Sequence, residues 1–310
     1  MTSQNSISIN GIIPPLITPL TETKALDFIS LSLLLEHIIK GGVHGVFILG
    51  TTGESASLSM GLKVNLIEET IKIVKDRIPV LVGVTDSSFE VSVELADLAH
   101  KLGATAVVSA PPFYYKLSQN ELISYYKKLA ERSRLPVYLY NMPSHTKITF
   151  EIDTIKELSN VPNIAGLKDS SGNAPYFQKL IHLFKDRSTF KLFVGPEETI
   201  AETVLMGGDG GVPGGANLFP ELYVALYDAA IRKDHSRTLL LHNLVMRISS
   251  KIYNMDNNQS SYLKGLKGAL STFGLCKDYL AEPIEPYLGK DKDNLKERVN
   301  EIKNELSEII

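Results

Sequence analysis

The sequence predicts an α/β fold: a (β/α)8 (TIM) barrel over residues 1–232, carrying a small C-terminal helical region over 233–310. Three observations predict it. Short apolar runs alternate with longer amphipathic segments, as parallel strands joined by crossover helices do. Strand–helix units counted along the chain reach eight near residue 232, the number that closes a barrel. Beyond that point the pattern is helix only, punctuated by Gly274, Pro283 and Pro286.

The expected strands are 12–16, 46–49, 80–84, 106–109, 137–140, 164–168, 190–194 and 210–212. All but the last are rich in Val, Ile and Leu and nearly continuous in apolarity, as strands covered on both faces should be. The eighth lies in GGDGGVPGG, which reads equally as a loop. Over 62–74, Leu62, Leu66, Ile67, Ile71 and Val74 fall on one helical face. A second helix opens with Pro175 in its first turn and turns Phe177, Leu180, Ile181 and Phe184 inward.

A chain of 310 residues, 44% hydrophobic, can fill one large core. The net charge of -3 is spread along the sequence, without the basic stripe of a nucleic-acid binder. Cys276 is the single cysteine, so no internal disulfide forms, and no spacing suggests a structural metal. The first ten residues lack the basic and apolar regions of a signal peptide, and no run of about 18 apolar residues occurs. A cytoplasmic protein without membrane, metal or cofactor is expected.

In such barrels the reacting groups sit where strands end and loops begin. Strand two runs into Gly50-Thr51-Thr52-Gly53-Glu54, strand four into Pro111-Pro112-Phe113-Tyr114-Tyr115, strand five into Tyr140-Asn141-Met142-Pro143, and strand six into Gly166-Leu167-Lys168-Asp169-Ser170-Ser171-Gly172. An amine at a desolvated barrel mouth is more readily neutral, and a neutral amine attacks ketones. Lys168 is placed for that; alternatively it snorkels to solvent or pairs with Asp169. Tyr140, on the neighbouring strand, offers a phenol that can give and take a proton. The turn at Gly50, Thr51 and Thr52 would present backbone N–H groups to a carboxylate at a helix start, or its threonines would simply cap the next helix.

Together the four motifs, in this order, resemble the N-acetylneuraminate lyase / dihydrodipicolinate synthase family of pyruvate-dependent aldolases, from about Ile12 to Asn217. The resemblance implies a class I lyase acting on a small 2-oxo acid. Lys168 would form the imine, Tyr140 would shuttle protons, and Thr51 and Thr52 would hold the pyruvyl carboxylate. Tyr114 would cross a dimer interface into a neighbouring subunit's site, and the Val212 carbonyl would face the pyruvyl group. A homo-oligomer, dimer or tetramer, is implied as well.

The sequence departs from the family pattern at His145, where the synthases usually carry an arginine. An imidazole does not reproduce a bidentate guanidinium. Met60, Ser87 and Val91 stand where lysine-inhibited synthases tend to carry polar groups, so feedback inhibition by lysine is not expected. These departures favour a 2-keto-3-deoxy sugar acid over dipicolinate synthesis or N-acetylneuraminate cleavage. Two rivals stand beside this reading: a phosphate-binding barrel using Gly207–Gly211, and a non-catalytic homologue.

Overall fold

The computed structural model describes residues 9–309. Eight strands, all parallel, follow the chain: β1 Gly11–Ile12, β2 Val46–Ile48, β3 Val80–Gly83, β4 Ala106–Ser109, β5 Val137–Asn141, β6 Ile164–Asp169, β7 Lys191–Val194 and β8 Gly210–Gly211. Their order is β1-β8-β7-β6-β5-β4-β3-β2. Between β1 and β2 the ring is closed by the residues just past β1: Leu16 N–H donates to Phe47 O (2.8 Å) and Phe47 N–H to Pro14 O (3.0 Å). The expected first strand, 12–16, is therefore split, because Pro14 and Pro15 have no N–H to give a ladder.

Helices α1 Phe28–Lys40, α2 Met60–Val74, α3 Phe89–Leu102, α4 Gln119–Arg132, α5 Pro143–Thr146, α6 Ile152–Leu158, α7 Ala174–Phe184, α8 Ile200–Leu205 and α9 Pro220–Ile231 alternate with the strands or follow the last of them. Five short polar side chains start these helices by accepting a backbone N–H: Asp27 for α1, Ser59 for α2, Ser88 for α3, Ser118 for α4 and Asn173 for α7. Each contributes about 1 kcal/mol. After α9 the chain continues in α10 His235–Ile248, one π-helical turn at Ser249–Tyr253, α11 Ser261–Thr272 and α12 Gly289–Ile309.

Side chains alternate across each strand. Val46, Ile48, Val80, Val82, Val137 and Leu139 face the helices, while Phe47, Leu81, Val108, Tyr138, Tyr140 and Phe193 fill the ring. That alternation also turns Lys168 inward, in register beside Tyr140. The α7 face is the expected one, with Phe177, Leu180, Ile181 and Phe184 buried. On α2 the buried face is rotated: Lys63 and Thr70 are buried with Leu66, Ile67 and Val74, whereas Leu62 and Ile71 are half-buried. Lys63 is drawn in toward Asp86, 3.9 Å away.

The glycine run before Pro213 serves packing. Gly210 forms β8, and a Cβ there would lie 2.0 Å from the Gly11 carbonyl oxygen, so only glycine lets β1 and β8 pair. Asp209 is held by Lys191 Nζ and Leu192 N–H, each at 2.8 Å. These contacts give the run a structural account and leave the phosphate rival without support.

Candidate active site

The turn after β2 is built under constraint. Leu49 and Glu54 adopt left-handed backbone (φ 57° and 58°), and a Cβ at Gly50 would meet the Phe47 ring at 2.7 Å. Three hydrogen bonds anchor the turn from beneath: Thr18 Oγ1 donates to Gly53 O at 2.7 Å, and the buried Glu54 carboxylate accepts the other two. Lys267 Nζ (2.5 Å) and Ala281 N–H (2.6 Å) both donate to that carboxylate. Among the described residues, the N–H groups of Thr51, Thr52 and Gly53 donate no hydrogen bond. They stand before a three-residue 3-10 turn, Ser55–Ser57, not at the start of α2, which Ser59 caps. The expected helix start is thus corrected, and with it any sizeable helix-dipole contribution.

Thr51 Oγ1 lies 3.1 Å from the Tyr140 hydroxyl, and Thr52 Oγ1 lies 3.1 Å from the Tyr262 hydroxyl. Across the ladder from Tyr140, Lys168 is 7% exposed. Its Nζ sits 4.2 Å from the centre of the Tyr140 ring and 5.0 Å from that of Phe47. Among the described residues it makes neither a hydrogen bond nor an ion pair. The alternative partner, Asp169, is engaged elsewhere: Asn141 Nδ2 donates to it at 2.6 Å and Ser171 Oγ at 2.9 Å, while burial pushes its carboxyl up.

These groups open into a cleft of two adjoining lobes, about 450 and 370 Å³. Both touch Thr51, Tyr140 and His145; Lys168, Thr52 and Val212 line the smaller, and Gly50 lines the larger. His145, on α5, has its Nδ1 2.9 Å from Ser144 Oγ, and burial, helped by the Lys147 charge, holds its imidazole below the usual range. Tyr114 does not line the cleft. It stands 78% exposed, its ring edge-on to Tyr115 at 5.0 Å.

Sequence reasoning missed the wall supplied by Glu197, Glu198, Tyr253, Gln259 and Tyr262. The glutamates follow β7, so the strand-end rule pointed to them. Nothing in the helical pattern of 233–310 signals that Tyr253 and Tyr262 reach the barrel mouth. Glu197 is buried and accepts from the Tyr223 and Tyr253 hydroxyls (the latter at 3.0 Å) and from Gly215 N–H at 2.8 Å. Ser249 Oγ donates to Glu198.

Burial pushes the Glu197 carboxyl up from 4.5 to about 7, against the pull of Tyr223 and Gly215. A raised carboxyl gives stability that is complete below the unfolded value and lost as pH rises through the folded one. Parent stability is therefore expected to fall between pH 4.5 and about 7, by about 3 kcal/mol relative to Glu197→Gln. Denaturant midpoints of the two proteins across that window check this; parallel profiles refute it.

Among the described residues no group of three or more His, Cys, Asp or Glu is placed to hold a metal, and no helix is long and apolar enough to cross a membrane. The model of the Dihydrodipicolinate synthetase family matches residues 8–302. The chain belongs to this family. Within the dihydrodipicolinate synthetase family it is similar to the structure of dihydrodipicolinate synthase from Bacteroides thetaiotaomicron: 49% identity, TM-score 0.92, covering 94% of this chain and 98% of the other. The Escherichia coli K12 family protein YagE, solved in complex with pyruvate, is 29% identical with a TM-score of 0.90, covering 95% and 98%. A probable 2-dehydro-3-deoxy-D-pentonate aldolase of Escherichia coli K12 is 31% identical over 92% of this chain and 95% of its own. The chain is an enzyme of the class I aldolase and lyase kind, as its motifs imply.

Proposed function

We propose that the enzyme is a Schiff-base lyase that releases pyruvate from a 2-keto-3-deoxy sugar acid, or joins pyruvate to an aldehyde to form one. The observation that carries this is the placement of the Lys168 amine against the ring of Tyr140, whose hydroxyl meets Thr51 Oγ1. The substrate carboxylate would lie on the N–H groups and hydroxyls of the Thr51–Thr52 turn, with the Val212 carbonyl facing the oxo-acid carbons. Lys168 attacks the 2-oxo carbon, and the carbinolamine loses water as Tyr140 protonates the departing hydroxyl. Loss of the proton from the substrate's 4-hydroxyl then breaks the C3–C4 bond. An aldehyde departs and an enamine remains, which takes a proton at C3; water hydrolyses the resulting imine to pyruvate and the amine.

The larger lobe supports a hydroxylated tail. Its polar lining includes Ser55, Ser57, Ser144, His145 and Gln259 and no arginine, and Lys147 Nζ is spent on Ser144 O at 2.6 Å. A second reading, condensation of pyruvate with aspartate semialdehyde, draws on the 49% identity to the Bacteroides synthase. A panel of keto-deoxy sugar acids, N-acetylneuraminate and aspartate semialdehyde separates them. The exposed Tyr114 supports a homo-oligomer, dimer or tetramer, in which it would serve a second copy's site. A single buried cysteine suits the cytoplasm.

Pyruvate with borohydride is expected to leave one reduced adduct, on Lys168, by peptide mass spectrometry. An unmodified Lys168 in folded protein refutes the mechanism. Tyr140→Phe, which keeps the ring and removes the proton, is expected to lower turnover about 10²- to 10⁴-fold. Steady-state rates check this, and a loss under about threefold removes Tyr140 from the proton path.

A further inference from the structure

Thr51 and Thr52 are tethered in opposite directions. Thr51 reaches the barrel strand β5 through Tyr140, and Thr52 reaches α11 through Tyr262. The hydroxyls of Thr52 and Tyr262 have no other hydrogen-bond partner among the described residues. Thr52 is 6% exposed, so its hydroxyl has little water to turn to. The approach of Tyr262 is built into the backbone opposite: a Cβ at Gly214 would lie 1.8 Å from the Tyr262 hydroxyl oxygen. The Tyr262 ring is also fixed from behind. It packs edge-on to Tyr253 at 4.9 Å, and the Tyr253 hydroxyl is spent on Glu197.

We propose that Tyr262 is a positioning residue: acting through Thr52, it fixes the turn that receives the substrate carboxylate, so that α11 sets affinity for the 2-oxo acid. This rests on the carboxylate reading of that turn. Removing the Tyr262 hydroxyl leaves the Thr52 hydroxyl unpaired and able to rotate, and the turn loses one of its tethers. Lys168 and Tyr140 keep their places, since neither contacts Tyr262 by a hydrogen bond. Binding therefore weakens while the rate at saturation is preserved.

The test is the rate of borohydride trapping of the full chain against pyruvate concentration. Tyr262→Phe is expected to raise the half-saturating pyruvate concentration about three- to tenfold, the worth of one neutral hydrogen bond, with the saturating rate within about twofold of the parent. Thr52→Val, which also removes a hydroxyl from the carboxylate turn, gives at least that rise, Thr52→Ser restores the parent value, and the double variant Tyr262→Phe/Thr52→Val is no worse than Thr52→Val. Should Tyr262→Phe fail to fold, Gly214→Ala, which drives a methyl into the same hydroxyl, is measured in its place with the same expectation. An unchanged half-saturation in Tyr262→Phe overturns the inference. So does a double variant whose loss is the product of the single ones, because Tyr262 would then act independently of Thr52. A parent that does not trap pyruvate overturns the lyase reading itself, a result separate from either.

Discussion

Lys168→Ala is expected to lose the pyruvate adduct and to lower turnover by more than about 10⁴-fold, as removal of a covalent nucleophile does. The fold should tolerate the change. Lys168 makes no hydrogen bond or ion pair among the described residues, and its Nζ lies against the Tyr140 and Phe47 rings. Its removal leaves no orphaned partner, so thermal midpoints of parent and variant should agree within a few degrees. Lys168→Arg should be equally inactive, because a guanidinium stays charged and does not add to a ketone. Stopped assays and melting curves on the three proteins check the separation of chemistry from stability. Residual turnover above about a tenth of the parent in Lys168→Ala would end the Schiff-base account.

The second large effect lies in a buried ion pair. Glu54 and Lys267 are 2% and 1% exposed, with Nζ and Oε1 2.5 Å apart. Burial pulls the Lys267 pKa down, and the Glu54 charge acts to hold it up. Lys267→Met strands the Glu54 carboxylate with the Ala281 N–H as its remaining donor, and is expected to cost about 3–5 kcal/mol. Glu54→Gln/Lys267→Met removes both charges and should be less destabilised than Lys267→Met alone. Urea midpoints check the order; a double variant worse than Lys267→Met would show that the pair stabilises beyond mutual neutralisation. Glu54 closes the turn that presents Thr51 and Thr52, so pyruvate half-saturation should rise in both proteins.

The barrel was legible because the near-continuous apolarity of strands covered on both faces and the helical spacing of apolar residues between them are local properties. Tyr140 and Lys168 could be placed at neighbouring strand ends from register-free counting, and the structure puts them in direct register. Legibility failed where a residue's environment depends on distant chain. Lys63 reads as the polar edge of an amphipathic helix, yet Asp86 on the next loop draws it inward. Tyr253 and Tyr262 read as ordinary helix residues, and only the path of the C-terminal region brings them to the cleft. Glu197 followed the same strand-end rule that found Lys168; it was overlooked because no motif flagged it. Tyr114 points away from the cleft, its ring edge-on to Tyr115.

The pairing of Glu54 with Lys267 spans 213 residues of sequence. A ribosome makes proteins from the N-terminus, so all eight strands emerge before the lysine that neutralises this carboxylate exists. Until α11 packs against the barrel, Glu54 lacks the cation with which it is paired in the folded chain. The cleft is likewise completed late in the chain, since Tyr253, Gln259 and Tyr262 line it beside Lys168.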